Sequence, residues 1–541
     1  MKRRLFFISV ISLAVFLAGP VTAGSAQGGG IDVLTQRYNI ARTGANNYET
    51  ILNPSNVNAE QFGKLFTRTV VGDIYAQPLY VRNLEIPGKG KHNVVYVATM
   101  HNMVYAFDAD DPALSDPLWQ VSLGTPVTQG ISEDVWGGED GVLSTPTIDL
   151  ITQTLYLVSH NSDNGPAIHK LHALDLKTGS EKFNGPVAIQ LSVRGQGLGS
   201  KNGRLSLDST NQLQRPALLL LNGFVYMAWG GNHDNGIWHG WLAGYNATNL
   251  KEPPRVFTST PNGFFGGIWM SGGGIASDGT FLYLATGNGT FKAHQGGTEY
   301  SDSFLKLKPA GRSFTVVDWF TPYDEVDLDE QDFDFGSTGA IWIPGSNLVL
   351  VGGKDGKLYI ADRNKMGRFN PNENRNVLVQ AVGNDRMYTT PVYWNTGPGG
   401  KPTLYAWTVK GPIRAFAMEM ADQKLTLSLS SESTISTTGF PPGALTVSSN
   451  GSIADTGILW AVYAPRVPDG KRDAVLYALK ATDLSKVLWH SEMNTDRDAV
   501  GIIAKFNPPV VVNGKVYVAS FSNRLNVYGL LNTTAATSSG G

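Results

Sequence analysis

The sequence predicts an all-β protein, an eight-bladed β-propeller of four-stranded antiparallel blades, and three observations carry that reading. Short apolar strands ending at a turn recur along the chain, each follows a second strand of the same kind, and one strand near the N-terminus has no unit of its own. The recurring strand reads VYAFDAD (104–110), LHALDLKTG (171–179), WLAGYNATN (241–249), FLKLKPAG (304–311), LYIADRNKMG (358–367), IRAFAMEMA (413–421), VLYALKATD (475–483) and LNVYGLL (525–531). An innermost strand, often opened by Pro, precedes most pairs, as in QPLYV, TPTID, RPALLLLNG, TPVYW and PPVVVNG. Seven units continue into an outer strand such as PLWQVSL or KVLWHSE, and the eighth does not. Pairing the orphan strand KLFTRTVV (64–71) with that last unit closes the ring and leaves no open sheet edge.

Composition agrees. A chain of 541 residues exceeds one ordinary core, and 62 Gly and 28 Pro with 10% aromatic and 16% charged residues suit many short strands joined by turns. A net charge of −2 without long basic runs excludes nucleic acid as the main partner. No cysteine is present, which excludes disulfides, thiolate metal sites and thiol-linked haem.

The start, MKRRLFFISVISLAVFLAGPVTAGSAQ, has Lys2, Arg3 and Arg4 before an apolar run and then small residues around Ala23 and Ala26. That pattern predicts a signal peptide over 1–26 and a secreted or periplasmic protein, since the apolar run is shorter than the roughly 20 residues of a membrane span. The remaining boundaries are an N-terminal extension at 27–62, the propeller at 63–531 and a disordered tail at 532–541. No membrane span is expected after cleavage. Inserts at 124–143, 187–212, 290–300 and 321–336 break the strand rhythm and belong on the faces, with the central funnel as the default ligand site.

HALDLKTG followed by Phe183 resembles the tryptophan-docking repeat of quinoprotein alcohol dehydrogenases, and Trp119, Trp319 and Trp489 occupy outer strands of other blades. GGIWM (266–270), LYLATGNGTF (282–291), YSDSFLKL (300–307), TPYDEVDLDEQDFDFG (321–336) and VGGKDGKLYIADRNKMG (351–367) then follow in the order seen in that family. The chain thus resembles the pyrroloquinoline-quinone-like propellers, in a secreted branch without a cytochrome domain. The resemblance implies a dehydrogenase acting on an alcohol or sugar hydroxyl of a small-molecule substrate, with pyrroloquinoline quinone and Ca²⁺ as cofactors. Trp269 would lie under the quinone, Lys354 would face its carbonyls, and Asn288 would be a calcium ligand. Asp334 would be the general base, with Asp332 beside it. A π-face, polarising cations and a carboxylate that takes the hydroxyl proton are what hydride removal to a quinone requires. With no haem motif, electrons would leave to a separate acceptor.

The chain departs from the family at named places. SDNGP (162–166) stands where the family has a calcium-binding glutamate, leaving Asp163 or Asn164. The adjacent-cysteine pair is missing, and Glu139-Asp140-Gly141 occupies the place of the arginine that follows it. The first inner-strand glutamate is replaced by Tyr75 or Ala76. Arg215, Arg497 and Lys505 flank inner strands and could form a cationic floor in the arginine's stead, or be exposed loop charges.

Other residues leave the function open. His233, Asp234 and His239 share one loop and could bind a divalent ion, or simply hydrogen-bond. The run DEVDLDEQDFD (324–334) could supply a base, paired acids for glycoside cleavage or calcium ligands, or be a solvated loop. Trp238, Trp241, Phe264, Phe265, Trp394 and Phe440 lie near strand ends and suit either a funnel wall or blade packing. A propeller that kept the scaffold as a binding or assembly module, and a carbohydrate-active hydrolase or lyase, are the alternative functions.

Overall fold

The computed structural model describes residues 30–531 except 132–134, 164, 233–235, 396–400, 422–423, 452 and 466–471. The expected signal peptide and C-terminal tail lie outside the described residues, as do Asn164, His233 and Asp234. Eight antiparallel sheets follow one another along the chain as an eight-bladed β-propeller. Their inner strands, which define blades 1 to 8, are Leu79–Ile86, Thr147–Asp149, Leu219–Leu221, Ala276–Ser277, Ile341–Trp342, Val392–Trp394, Ala444–Ser448 and Val510–Val512. A separate hairpin, Ser192–Arg194 with Arg204–Ser206, occupies the insert after blade 2.

Each blade is covered by neighbours on both faces, so its middle strands read as unbroken apolar runs rather than as alternations. Thr154–Asn161 of blade 2 is buried at every position. Its Tyr156 and Val158 share one cluster with Trp229 and Trp241 of blade 3, and blade 3's Leu219 and Ala228 share the next with blade 4's Leu284 and Leu305. The docking tryptophan does its work between blades: the Trp119 indole N–H donates to Leu176 O at 2.9 Å. A Cβ on Gly179 would meet the Trp119 ring at 2.7 Å, and φ there is +72°, so both packing and backbone require glycine in the KTG turn.

Phe62–Thr69 pairs antiparallel with Arg524–Leu530 and serves as the outer strand of blade 8. Across the seam Tyr80 of blade 1 meets Tyr517 of blade 8, ring centroids 6.0 Å apart.

The segment before that strand is not an appendage. Residues 33–49 cross one end of the axis and bond to every blade in turn. Val33 exchanges backbone bonds with Tyr80, and the carbonyls of Leu34, Ile40, Ala41, Thr43 and Gly44 accept from Ile148, Ser277, Trp342, Tyr393 and Val447. The Tyr38 hydroxyl accepts from Val511 N–H at 2.8 Å. Blade 3 is reached by Arg42, which donates to Leu218 O at 2.8 Å. The segment therefore satisfies inner-strand edges that would otherwise face an open channel, and it plugs one end of the axis.

Candidate functional site

The inner strands position the site by a simple offset. Counting four residues back from the first residue of each inner strand gives Tyr75, Leu143, Arg215, Gly272, Ser337, Tyr388, Phe440 and Phe506. Arg215, Tyr388, Phe440 and Phe506 line an axial cavity of about 420 Å³. Tyr75, Leu143 and Gly272 line a small adjoining space, with Arg215 and Phe506 common to both. A 420 Å³ cavity falls within the range of small-molecule sites. Trp238, Trp269, Asp332, Asp334, Lys354 and Arg386 complete its charged and aromatic walls.

Lys354 lies in the turn between Leu348–Gly352 and Lys357–Asp362 of blade 5. Its backbone N–H donates to Asp334 O at 3.0 Å, which ties that turn to the acidic insert. Its ammonium sits 2.5 Å from Asp334 Oδ2 and 2.9 Å from Asp332 Oδ1, and 5.4 Å from the centroid of the Trp269 ring. Burial opposes the charge, but the two carboxylates outweigh it and hold the lysine above its ordinary pKa. The Lys354 ammonium and the Asp334 carboxylate therefore stand as an ion pair on one wall.

Asp334 Oδ1 accepts the Asn288 backbone N–H at 2.9 Å. The Asn288 side-chain oxygen is buried with no partner, while its amide nitrogen reaches toward Asp332 Oδ1 at 3.4 Å. An orphaned amide oxygen beside a carboxylate is the kind of donor a hard cation takes. Among the described residues, however, no group of three or more His, Asp or Glu side chains is arranged to hold a metal ion. A divalent ion here would need oxygens from a ligand as well. Arg386 Nη1 reaches Asp332 Oδ2 at 3.5 Å. Behind Asp334, the fully buried Asp302 accepts the Phe335 N–H at 3.0 Å, and burial, reinforced by the nearby Asp334 charge, pushes its carboxyl well above the usual range.

The structure thus brings Trp269, Asp332, Asp334, Lys354 and Arg215 to one cavity, with Asn288 bonded to its acidic wall. Lys505 is buried just behind, its ammonium 4.8 Å from the Phe440 ring centroid and 5.3 Å from that of Phe506. Two expected residues stand elsewhere. Asp163 takes the Thr125 N–H at 2.7 Å and pairs with Lys170 at 2.8 Å in a surface loop. Arg497 pairs with Asp498 at 2.7 Å in the short helix Thr495–Asp498 ahead of blade 8 and is not a lining residue. The acids in the place of the family's arginine also turn away: Glu139 bonds His101 at 2.7 Å and Asp140 bonds His160 at 2.9 Å. His239 has both ring nitrogens engaged, with Thr260 Oγ1 and Leu198 O. Trp238 and Phe440 line the cavity, and Phe265 stacks on Trp238. Trp241 and Trp394 are buried in blade packing. Arg386, Tyr388 and Phe506 were not singled out from the sequence; the four-residue offset ahead of TPVYW and PPVVV would have found the last two.

No family model and no curated protein sequence matches the chain. Among solved structures it is similar to a europium-containing methanol dehydrogenase, at TM-score 0.55 and 14% identity, covering 92% of this chain and 98% of that one. It is likewise similar to a quinohemoprotein alcohol dehydrogenase of Pseudomonas putida HK5, at TM-score 0.51 and 13% identity, covering 94% of this chain and 82% of that one. At such identities the likeness is one of fold: this chain shares the propeller of quinoprotein dehydrogenases.

Proposed function

We propose that the protein is an exported quinoprotein-type dehydrogenase that oxidises the hydroxyl group of a small alcohol or sugar in the axial cavity. One observation carries the reading: Lys354 stands over the face of Trp269 while pairing with Asp334 and Asp332 in a single cavity. Each residue then has a task. Trp269 offers a flat π-surface to a planar ligand. Lys354 presents a fixed positive charge to that ligand's carbonyl edge. Asp334, paired with it at 2.5 Å, is placed to accept the substrate's hydroxyl proton at Oδ2. The Asn288 N–H holds Asp334 Oδ1 and so fixes the plane of the carboxylate. Asp332 shares Lys354 and is itself steadied by Arg386.

The residues fit pyrroloquinoline quinone: an aromatic face, a cation above it, and an unpartnered amide oxygen at the edge that suits Ca²⁺. When bound, the quinone would supply the two-electron acceptor, with the cation polarising its carbonyls. The Asn288 side-chain oxygen would be a protein donor to that ion, and the reducing equivalents would pass to a separate carrier. The test is dye reduction by purified protein supplied with the quinone and Ca²⁺, across a panel of alcohols and sugars. Dye reduction with at least one is expected; none with any would overturn the proposal.

A further inference from the structure

Of the eight residues at the four-back position, one is charged. Four are aromatic (Tyr75, Tyr388, Phe440 and Phe506), and Leu143, Gly272 and Ser337 are apolar or small. Blade 3 contributes Arg215 instead, which lines the cavity and is 7% exposed. A buried guanidinium normally has a carboxylate or a set of carbonyls against its donors. Arg37 and Arg42, in the axial plug, illustrate this, with carbonyl oxygens around each. Among the described residues Arg215 has neither; its one contact of note is the Phe506 ring, 5.6 Å from the guanidinium carbon. The other cations of the cavity are committed, Lys354 to Asp334 and Asp332 and Arg386 to Asp332. Lys354 and Arg386 are thus answered within the cavity, and the positive charge of Arg215 is not.

We propose that the Arg215 end is a carboxylate-binding subsite, so that the molecule held in the cavity carries an acid group docked on this guanidinium, with Phe506 beneath. The planar fork of arginine matches a carboxylate with two parallel hydrogen bonds, and Phe440, Phe506 and Val409 give the cavity an apolar wall beside the charged one. The acid can belong to the substrate, which would then be a hydroxy acid and not a neutral alcohol, or to the planar cofactor of the reading above. The inference rests on that reading only for the second source.

Calorimetric titration of the full chain separates these cases, using gluconate as the hydroxy-acid probe, sorbitol as its neutral counterpart and pyrroloquinoline quinone with Ca²⁺ as the cofactor probe. Arg215→Gln is compared with the wild type, with thermal melts to verify the fold; Arg215→Lys, which keeps the charge and loses the fork, serves if the glutamine variant does not fold. If the subsite serves substrate, gluconate binds without quinone, sorbitol binds more weakly, and the glutamine variant loses roughly 10- to 100-fold in gluconate affinity. If it serves the cofactor, the same loss appears in the quinone titration. Gluconate binding that depends on Arg215 in a protein that never binds quinone would leave the subsite standing and remove the dehydrogenase. Equal affinity of folded variant and wild type for both acids, or no affinity of the wild type for either, overturns the proposal.

Discussion

The plug of residues 33–49 makes a sharp prediction at Arg42. This side chain is fully buried. Its guanidinium donates to Ile275 O at 3.0 Å, Thr35 Oγ1 at 2.7 Å, Gln36 O at 2.8 Å and Leu218 O at 2.8 Å. Arg42→Met keeps much of the stem's volume and removes all four bonds. Three buried carbonyls then lose a partner, each at a cost of about 1–3 kcal/mol, against which the variant no longer has to desolvate a charge. The net loss should be about 3–5 kcal/mol, the size seen when one side of a buried polar arrangement is removed. Urea denaturation followed by tryptophan fluorescence measures it, with Arg82→Met, a half-buried arginine paired with Asp32, as the control. The control should stay within about 1 kcal/mol of wild type. An Arg42 variant as stable as the control would show that the plug does not hold the inner strands.

Two further outcomes follow from the charges. Burial, with help from Glu139, raises the Asp73 carboxyl to about 6, and burial near Asp329 raises that of Glu325 to about 7. Their folded values lie above their unfolded ones, so the stability these two groups contribute is full below about pH 4 and is lost as pH rises through 6 to 7. Asp73→Asn should flatten that decline in melting curves between pH 4 and 7, and an unchanged slope would mean Asp73 is not desolvated. In the dye assay, Asp334→Asn should lower turnover by about 10²- to 10⁴-fold while quinone affinity falls far less; turnover within about 3-fold of wild type would remove Asp334 as the base.

How much of this was legible beforehand divides along physical lines. The blades could be read because a strand covered on both faces leaves an unbroken apolar run, as in TLYLVSH and FVYMAWGG, and because the KTG turn under Trp119 needs glycine. Trp269, Asp332, Asp334 and Lys354 could be picked out by order along the chain and Arg215 by its place before an inner strand, and they lie around one cavity. Asp163 and Arg497 were picked by position too, yet Lys170 and Asp498 hold them elsewhere, since a loop charge goes to its nearest opposite charge. The plug left no trace in periodicity. Its bonds run from an irregular segment to strands hundreds of residues away, and Arg42 looks like any loop arginine until Leu218 and Ile275 are beside it. Arg386 was hidden in the same way, and Tyr388 became readable only once the inner strands could be aligned by their starts.

Under the proposed function, Trp269 and Lys354 form the seat of a planar quinone. Titrating the protein with pyrroloquinoline quinone in the presence of Ca²⁺, while following tryptophan fluorescence, tests it most directly. Saturable quenching at one equivalent is expected, abolished in Lys354→Met and strongly reduced in Trp269→Ala with the fold intact. No saturable quenching in the wild type, or identical curves for all three proteins, would contradict it.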